Sequence, residues 1–116
     1  MFKEINRVHN YALRQGGKQM LIKVGVDISR LRPEIRKKLS NIASIMWACD
    51  SQELVITSTY EGNHSEGSLH YAHLAIDIRR DQATTYSFPE IKRSLGKDYD
   101  VILEPDHIHI EYDPKT

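Results

Sequence analysis

Cysteine is all but absent from this chain. Cys49 is the only one in 116 residues, so no internal disulfide can form. A single domain of this length buries roughly two-thirds of its unfolded surface and needs no covalent staple. Cys49 itself, in "MWACD" at the end of a helical stretch, reads as a packed small hydrophobe. An excess of charge is missing too. Sixteen basic and sixteen acidic residues cancel, which leaves no electrostatic case for nucleic acid or an anionic membrane as partner. The local cluster of Arg30, Arg32, Arg36, Lys37 and Lys38 reads as the solvated side of a helix. Long apolar runs are lacking as well. No segment approaches a membrane span, and "MFKEINRVHNYALRQGG" holds no apolar stretch of signal-peptide length, so the expectation is a chain that is cytoplasmic at synthesis. Neither an internal repeat nor a low-complexity stretch is found.

The elements are read from periodicity and punctuation. Residues 2–14 read as a short helix closed by Gly16-Gly17. "QMLIKVGVDIS" alternates loosely, is rich in Ile and Val, and reads as a strand. Pro33 suits a first helical position; Ile35, Leu39, Ile42, Ala43 and Met46 then form one apolar face of a helix running to about residue 48. "ELVITST" is a second strand, followed by the polar loop "YEGNHSEGS" and a short third strand, "LAIDI". In "SFPEIKRSLG" the expected helix has Ser87 as N-cap, Pro89 in the first turn, Glu90 completing a capping box and Gly96 just past the end. "YDVILE" and "HIHIEYD" are strands around a turn at Pro105-Asp106. This order predicts one α+β domain over 1–116, with a mainly antiparallel sheet, helices on one face and a cleft on the other.

The histidines are unevenly spread. Five of the six lie in or just before "GSLHYAHLAID" (67–77) and "EPDHIHIEYD" (104–113). In a strand, residues two apart share a face, so His107 and His109 point one way while Ile108 and Ile110 face the core. His70 and Asp77, seven apart, converge only if His70 lies in the loop before the strand that carries Asp77. Asp77 sits between Ile76 and Ile78, and a carboxylate in an apolar setting needs a partner; a cation is the obvious one. His70, Asp77 and one of the C-terminal histidines give two imidazoles and a carboxylate, a ligand set known from catalytic zinc sites with an open position. Such a metal lowers the pKa of its water and polarises a carbonyl, and a nearby carboxylate takes the proton. Asp106 and Glu104 are both candidates for that base.

These residues resemble a known family. "SLHYAHLAIDI" followed by "DHIHIE" is similar to the zinc D-Ala-D-Ala carboxypeptidases, the vancomycin-resistance D-Ala-D-Ala dipeptidases and the L-alanyl-D-glutamate peptidases of phage endolysins. "NHSEGSLHY" is also similar to the zinc-bearing N-terminal domain of hedgehog signalling proteins. The resemblance spans about residues 54–112. It implies zinc held by His70, Asp77 and His109. It implies that His107 stabilises the developing oxyanion and that Asp106 is the general base, with Glu104 as second choice; Ser68 and His64 fall at supporting positions. Two departures stand out. Many relatives have glycine where this chain has His73, for which a solvent-facing position is expected. Many also carry an arginine near "TSTYE", where this chain has Tyr60-Glu61.

Two functions follow as expectations. One is a zinc peptidase cutting peptidoglycan stem peptides, as D,D-carboxypeptidase or L-Ala-D-Glu endopeptidase. Such an enzyme reaches the cell wall by phage lysis, on a phage particle or with a partner's help. The other is a non-catalytic, zinc-containing binding module of hedgehog type.

Overall fold

The computed structural model describes residues 8–15, 18–61, 64, 67–80 and 86–114; for those before Met20 it describes the backbone alone. The elements are β1 (Val8–Gln15), β2 (Lys18–Lys23), α1 (Pro33–Arg36), α2 (Leu39–Asp50), β3 (Leu54–Ser58), β4 (Ala75–Arg79), α3 (Ser87–Leu95), β5 (Tyr99–Leu103) and β6 (His107–Tyr112). The strands form one six-stranded sheet in the order β1-β2-β3-β4-β6-β5. Only β2 and β3 are parallel, with α1 and α2 making the crossover between them. This is an α+β domain with a mainly antiparallel sheet, as the sequence predicts.

The expected N-terminal helix is a strand. β1 pairs antiparallel with β2, Gln15 opposite Lys18 and Tyr11 opposite Met20. Gly16-Gly17, read as a helix stop, falls between two extended runs, where a Gly-Gly pair equally marks a hairpin connection. Residues 2–7 and the Gly-Gly pair lie outside the described residues. β2 is shorter than expected: it ends at Lys23, whose carbonyl accepts from Val26 N in a turn where Gly25 adopts φ +92°.

The helix from Pro33 is broken once. Lys38 N bonds the carbonyl of Ile35 instead of that of Glu34, a tighter turn that separates α1 from α2. The Glu34 carbonyl freed by this break accepts the Tyr99 hydroxyl at 2.7 Å. The apolar face continues across the break. Ile35, Leu39, Ile42, Ala43 and Met46 pack with Ile91 and Leu95 of α3 over Ile56, Ile76, Ile78, Ile108 and Ile110 of the sheet.

α3 begins where expected but is capped differently. Ser87 is its first residue, not its N-cap; Tyr86 holds that position and makes no side-chain cap. Asp50, the last residue of α2, supplies the acceptor instead. Its carboxylate takes Ser87 N at 2.8 Å and Tyr86 N at 3.3 Å, and the Ser87 hydroxyl donates to it too. Glu90 turns to Arg93 rather than closing a capping box. Gly96, at φ +84°, ends the helix as predicted.

The helices and the isoleucines thus occupy one face of β4 and β6. Asp77, His107, His109 and Glu111 alternate with those isoleucines and emerge on the other.

Candidate metal centre

Register brings the polar residues together. In the β4–β6 ladder Asp77 lies opposite His109, Arg79 opposite His107, and Ala75 opposite Glu111. His70 comes from outside the sheet, on the tight turns that precede β4. Those turns end at His73, which sits at φ +63°. That is the left-handed region where glycine is free of strain and a histidine is not. His73 is half-buried, edge-on to Tyr60 with ring centroids 5.1 Å apart, and so is neither in the cleft nor fully in solvent.

His70 is almost fully enclosed, at 3% exposure. Its Nδ1 lies 2.6 Å from the Thr59 carbonyl, which can only accept; Nδ1 therefore carries the proton and Nε2 the lone pair. That Nε2 is 3.2 Å from Asp77 Oδ1 and 3.1 Å from His109 Nδ1. His109 Nδ1 in turn is 3.0 Å from Asp77 Oδ1. On its far side His109 Nε2 meets Glu111 Oε1 at 2.7 Å, so Glu111 orients the ring and leaves Nδ1 for the centre. Three donor atoms thus form a triangle with edges of 3.0–3.2 Å. Ligands at 2.0–2.1 Å around a tetrahedral ion stand about 3.3 Å apart. With His109 neutral all three atoms are acceptors facing one another, so the cluster requires a proton or a cation.

The electrostatics agree. Burial opposes the charge of Asp77, but a hydrogen bond from the protonated form of His109 and the charge of nearby His107 outweigh it and hold its carboxyl far below the ordinary carboxylate range. Burial likewise opposes the imidazolium of His109, but its bonds to Asp77 and Glu111 raise its pKa above the ordinary histidine value.

The remaining predicted residues surround this triangle. His64 stacks on His70, rings 3.8 Å apart and 10° from parallel, and a donor atom of it falls within 4.8 Å of those of His70 and Asp77; these three also form a group able to hold a metal ion. Ser68 Oγ accepts from His70 N at 3.1 Å. His107 Nε2 is 3.8 Å from Asp77 Oδ1, beside the centre rather than in it. Its Nδ1 bonds Asp106 Oδ1 at 2.7 Å. The Asp106 side chain is 89% exposed, and hydrogen bonding to His107 holds its pKa below the ordinary value. Glu104 instead lines the cleft, a cavity of about 680 Å³ walled by His64, His70, Asp77, His107, His109 and Glu111 among others. The two candidate bases are therefore placed differently: Glu104 in the cleft wall, Asp106 outside it.

Two supports have no expectation behind them. Glu111 follows His109 by two residues, so the alternation that pairs the histidines also marks it. Glu61 has no such signal. Its carboxylate accepts Asp27 N at 2.5 Å and Thr59 N at 2.9 Å, and Thr59 Oγ1 lies 2.8 Å from it. Burial opposes its charge, yet these backbone bonds hold its pKa below the usual value. Glu61 thereby fixes Thr59, whose carbonyl fixes His70.

No helix among the described residues is long and apolar enough to cross a membrane. No family model, curated protein or solved structure matches the chain.

Proposed function

We propose that this chain is a zinc metallopeptidase that hydrolyses peptide bonds in peptidoglycan stem peptides. The observation that carries the reading is the triangle of His70 Nε2, Asp77 Oδ1 and His109 Nδ1, sized for one tetrahedral ion and open toward the cleft. Zinc bound there supplies a Lewis acid and a water of lowered pKa. The chain's own groups do the rest. Thr59 and Glu111 hold the two imidazoles in the required tautomers. Glu104, half-buried in the cleft wall, is the group placed to take a proton from water, and in this respect it ranks ahead of Asp106. Asp106 accepts from His107 Nδ1; His107 Nε2, facing the centre, then donates to a developing oxyanion in the imidazolium form.

The test is mass spectrometry of muropeptides incubated with the zinc-loaded protein. Cleavage at a stem-peptide bond, lost when zinc is stripped and restored when it returns, is the expected result. Full zinc occupancy with every stem peptide left intact would instead establish the non-catalytic binding module. That outcome is given weight by Glu61, which stands in place of the arginine and is committed to holding a loop.

A further inference from the structure

The cleft wall carries four imidazoles and four carboxylates but no lysine or arginine. Such a surface repels an anionic substrate group unless a cation stands beside it. β4 supplies one. Arg79 follows Asp77 by two residues, so the pleat puts both on the cleft face, and the register sets Arg79 directly across from His107. Opposed residues on one face have Cβ atoms roughly 5 Å apart. Arg79 is half-buried. Among the described residues no hydrogen bond, ion pair or ring contact engages its guanidinium, and its nitrogens are not sealed from water. Neighbouring cations are occupied: Arg80 Nη1 donates to the carbonyls of Glu104 and Pro105 at 3.4 and 2.8 Å, and Arg30 lies over the Tyr60 ring.

The geometry points to Arg79 as the anchor for a substrate carboxylate lying about one residue from the scissile carbonyl. The inference rests on the peptidase reading and narrows its substrate. Two residues of strand separate Arg79 from the metal centre by about 7 Å. One extended residue of substrate spans about 3.5 Å, and the arginine side chain covers the remainder. The planar guanidinium pairs a carboxylate with two parallel hydrogen bonds. In a stem peptide two groups meet the requirement: the C-terminal carboxylate of D-alanine, and the free α-carboxylate of γ-linked D-glutamate.

The experiment uses ketomethylene analogues, so that binding is read without turnover. The zinc-loaded protein is titrated calorimetrically with two matched pairs: acetyl-L-lysyl-D-alanyl-D-alanine against its C-terminal amide, and L-alanyl-γ-D-glutamyl-L-lysine against its D-isoglutamine form. For one pair the acid should bind at least about tenfold more tightly than the amide. The pair that discriminates identifies the bond that is cut. Arg79→Gln should erase the preference while leaving zinc content and affinity for the amide unchanged; Arg79→Lys should keep part of it. Equal or undetectable binding of acid and amide in both pairs overturns the inference, as does a preference that survives Arg79→Gln. Hydrolysis of the parent peptides is followed separately. Acid preference without hydrolysis refutes the peptidase and leaves the Arg79 site standing; hydrolysis without acid preference does the reverse.

Discussion

At the scale of single residues, the proposed centre divides into side chains that would hold the ion and side chains that would work beside it. His70→Ala, Asp77→Asn and His109→Ala each remove one corner of the triangle and should abolish stoichiometric zinc, read by elemental analysis of protein purified without a nickel tag. His107→Ala should keep the metal, because its nearest ring nitrogen is 3.8 Å from Asp77 and belongs to no edge of the triangle. Loss of zinc in that variant would move the ligand set to His107. The two carboxylates separate next. Glu104→Gln should lower turnover by a factor on the order of 10² to 10⁴, the usual contribution of general acid–base catalysis, with zinc retained. Asp106→Asn acts through His107 and should cost roughly tenfold to a hundredfold, the range for an outer partner of a site residue. If Asp106→Asn proves the more severe of the two, Asp106 is the base.

Protonation of His109 gives a further residue-scale prediction. A ligand imidazole must be neutral, and the carboxylates of Asp77 and Glu111 keep its proton bound to higher pH than on a free histidine. Apparent zinc affinity should therefore be full on the alkaline side and already falling above about pH 6.5, the ordinary histidine value, as pH drops. Chelator competition between about pH 5.5 and 8.5 measures it. A decline confined below that value would mean that Asp77 and Glu111 do not hold the proton. For the metal-free fold the sign reverses. A raised His109 contributes stability below the ordinary histidine value and loses it as pH rises through the raised one. The depressed Asp77 contributes above the ordinary carboxylate value and loses its share only in strong acid.

At the scale of elements, one carboxylate of α2 caps α3. Asp50→Ala leaves Ser87 N, Tyr86 N and the Ser87 hydroxyl without their acceptor and should cost about 2 kcal/mol in urea denaturation. A loss of only a few tenths would mean that water replaces the cap. This join also shows where sequence reading stops. Ser87, Pro89 and Glu90 form the local pattern of a self-capped helix, and nothing within ten residues points to Asp50. The strands at 54–58 and 99–103 were legible as short runs rich in Ile and Val, and those at 75–79 and 107–112 because Ile alternates with polar residues there. β1 was not, since "VHNYALRQ" carries few β-branched residues and its strand identity comes from pairing with β2. The convergence of His70, Asp77 and one C-terminal histidine was legible as spacing, with the choice of His109 resting on the resemblance, and Glu111 was available from the same alternation. Thr59 and Glu61 were not, because a backbone carbonyl has no residue-type signature and a half-buried loop glutamate reads as solvated.

At the scale of the whole molecule, the centre joins parts of the chain that the unfolded state keeps apart. His70 and His109 are 39 residues from one another, and Thr59 stands 11 before His70. An ion that needs all of them binds the folded chain far better than the unfolded one. At a hundred times its dissociation constant, zinc should stabilise the fold by about 2.7 kcal/mol, which for a domain of this size raises the melting temperature by roughly 10 °C. Differential scanning with zinc and with chelator reads this directly, and coincident curves would argue against a metal centre of any kind.

The alternation along β4 and β6 has a consequence for descent. Isoleucines on one face hold the helices, while imidazoles and carboxylates on the other hold the chemistry, so the two inheritances mutate independently. In the peptidase proposed above, a substitution on the polar face would silence catalysis while leaving a foldable chain for selection to reuse. An insertion or deletion of one residue within β6 exchanges the faces and destroys both at once. On the proposed reading, lineages built on this sheet would drift from hydrolysis to recognition by point substitution, keeping strand lengths constant as they do.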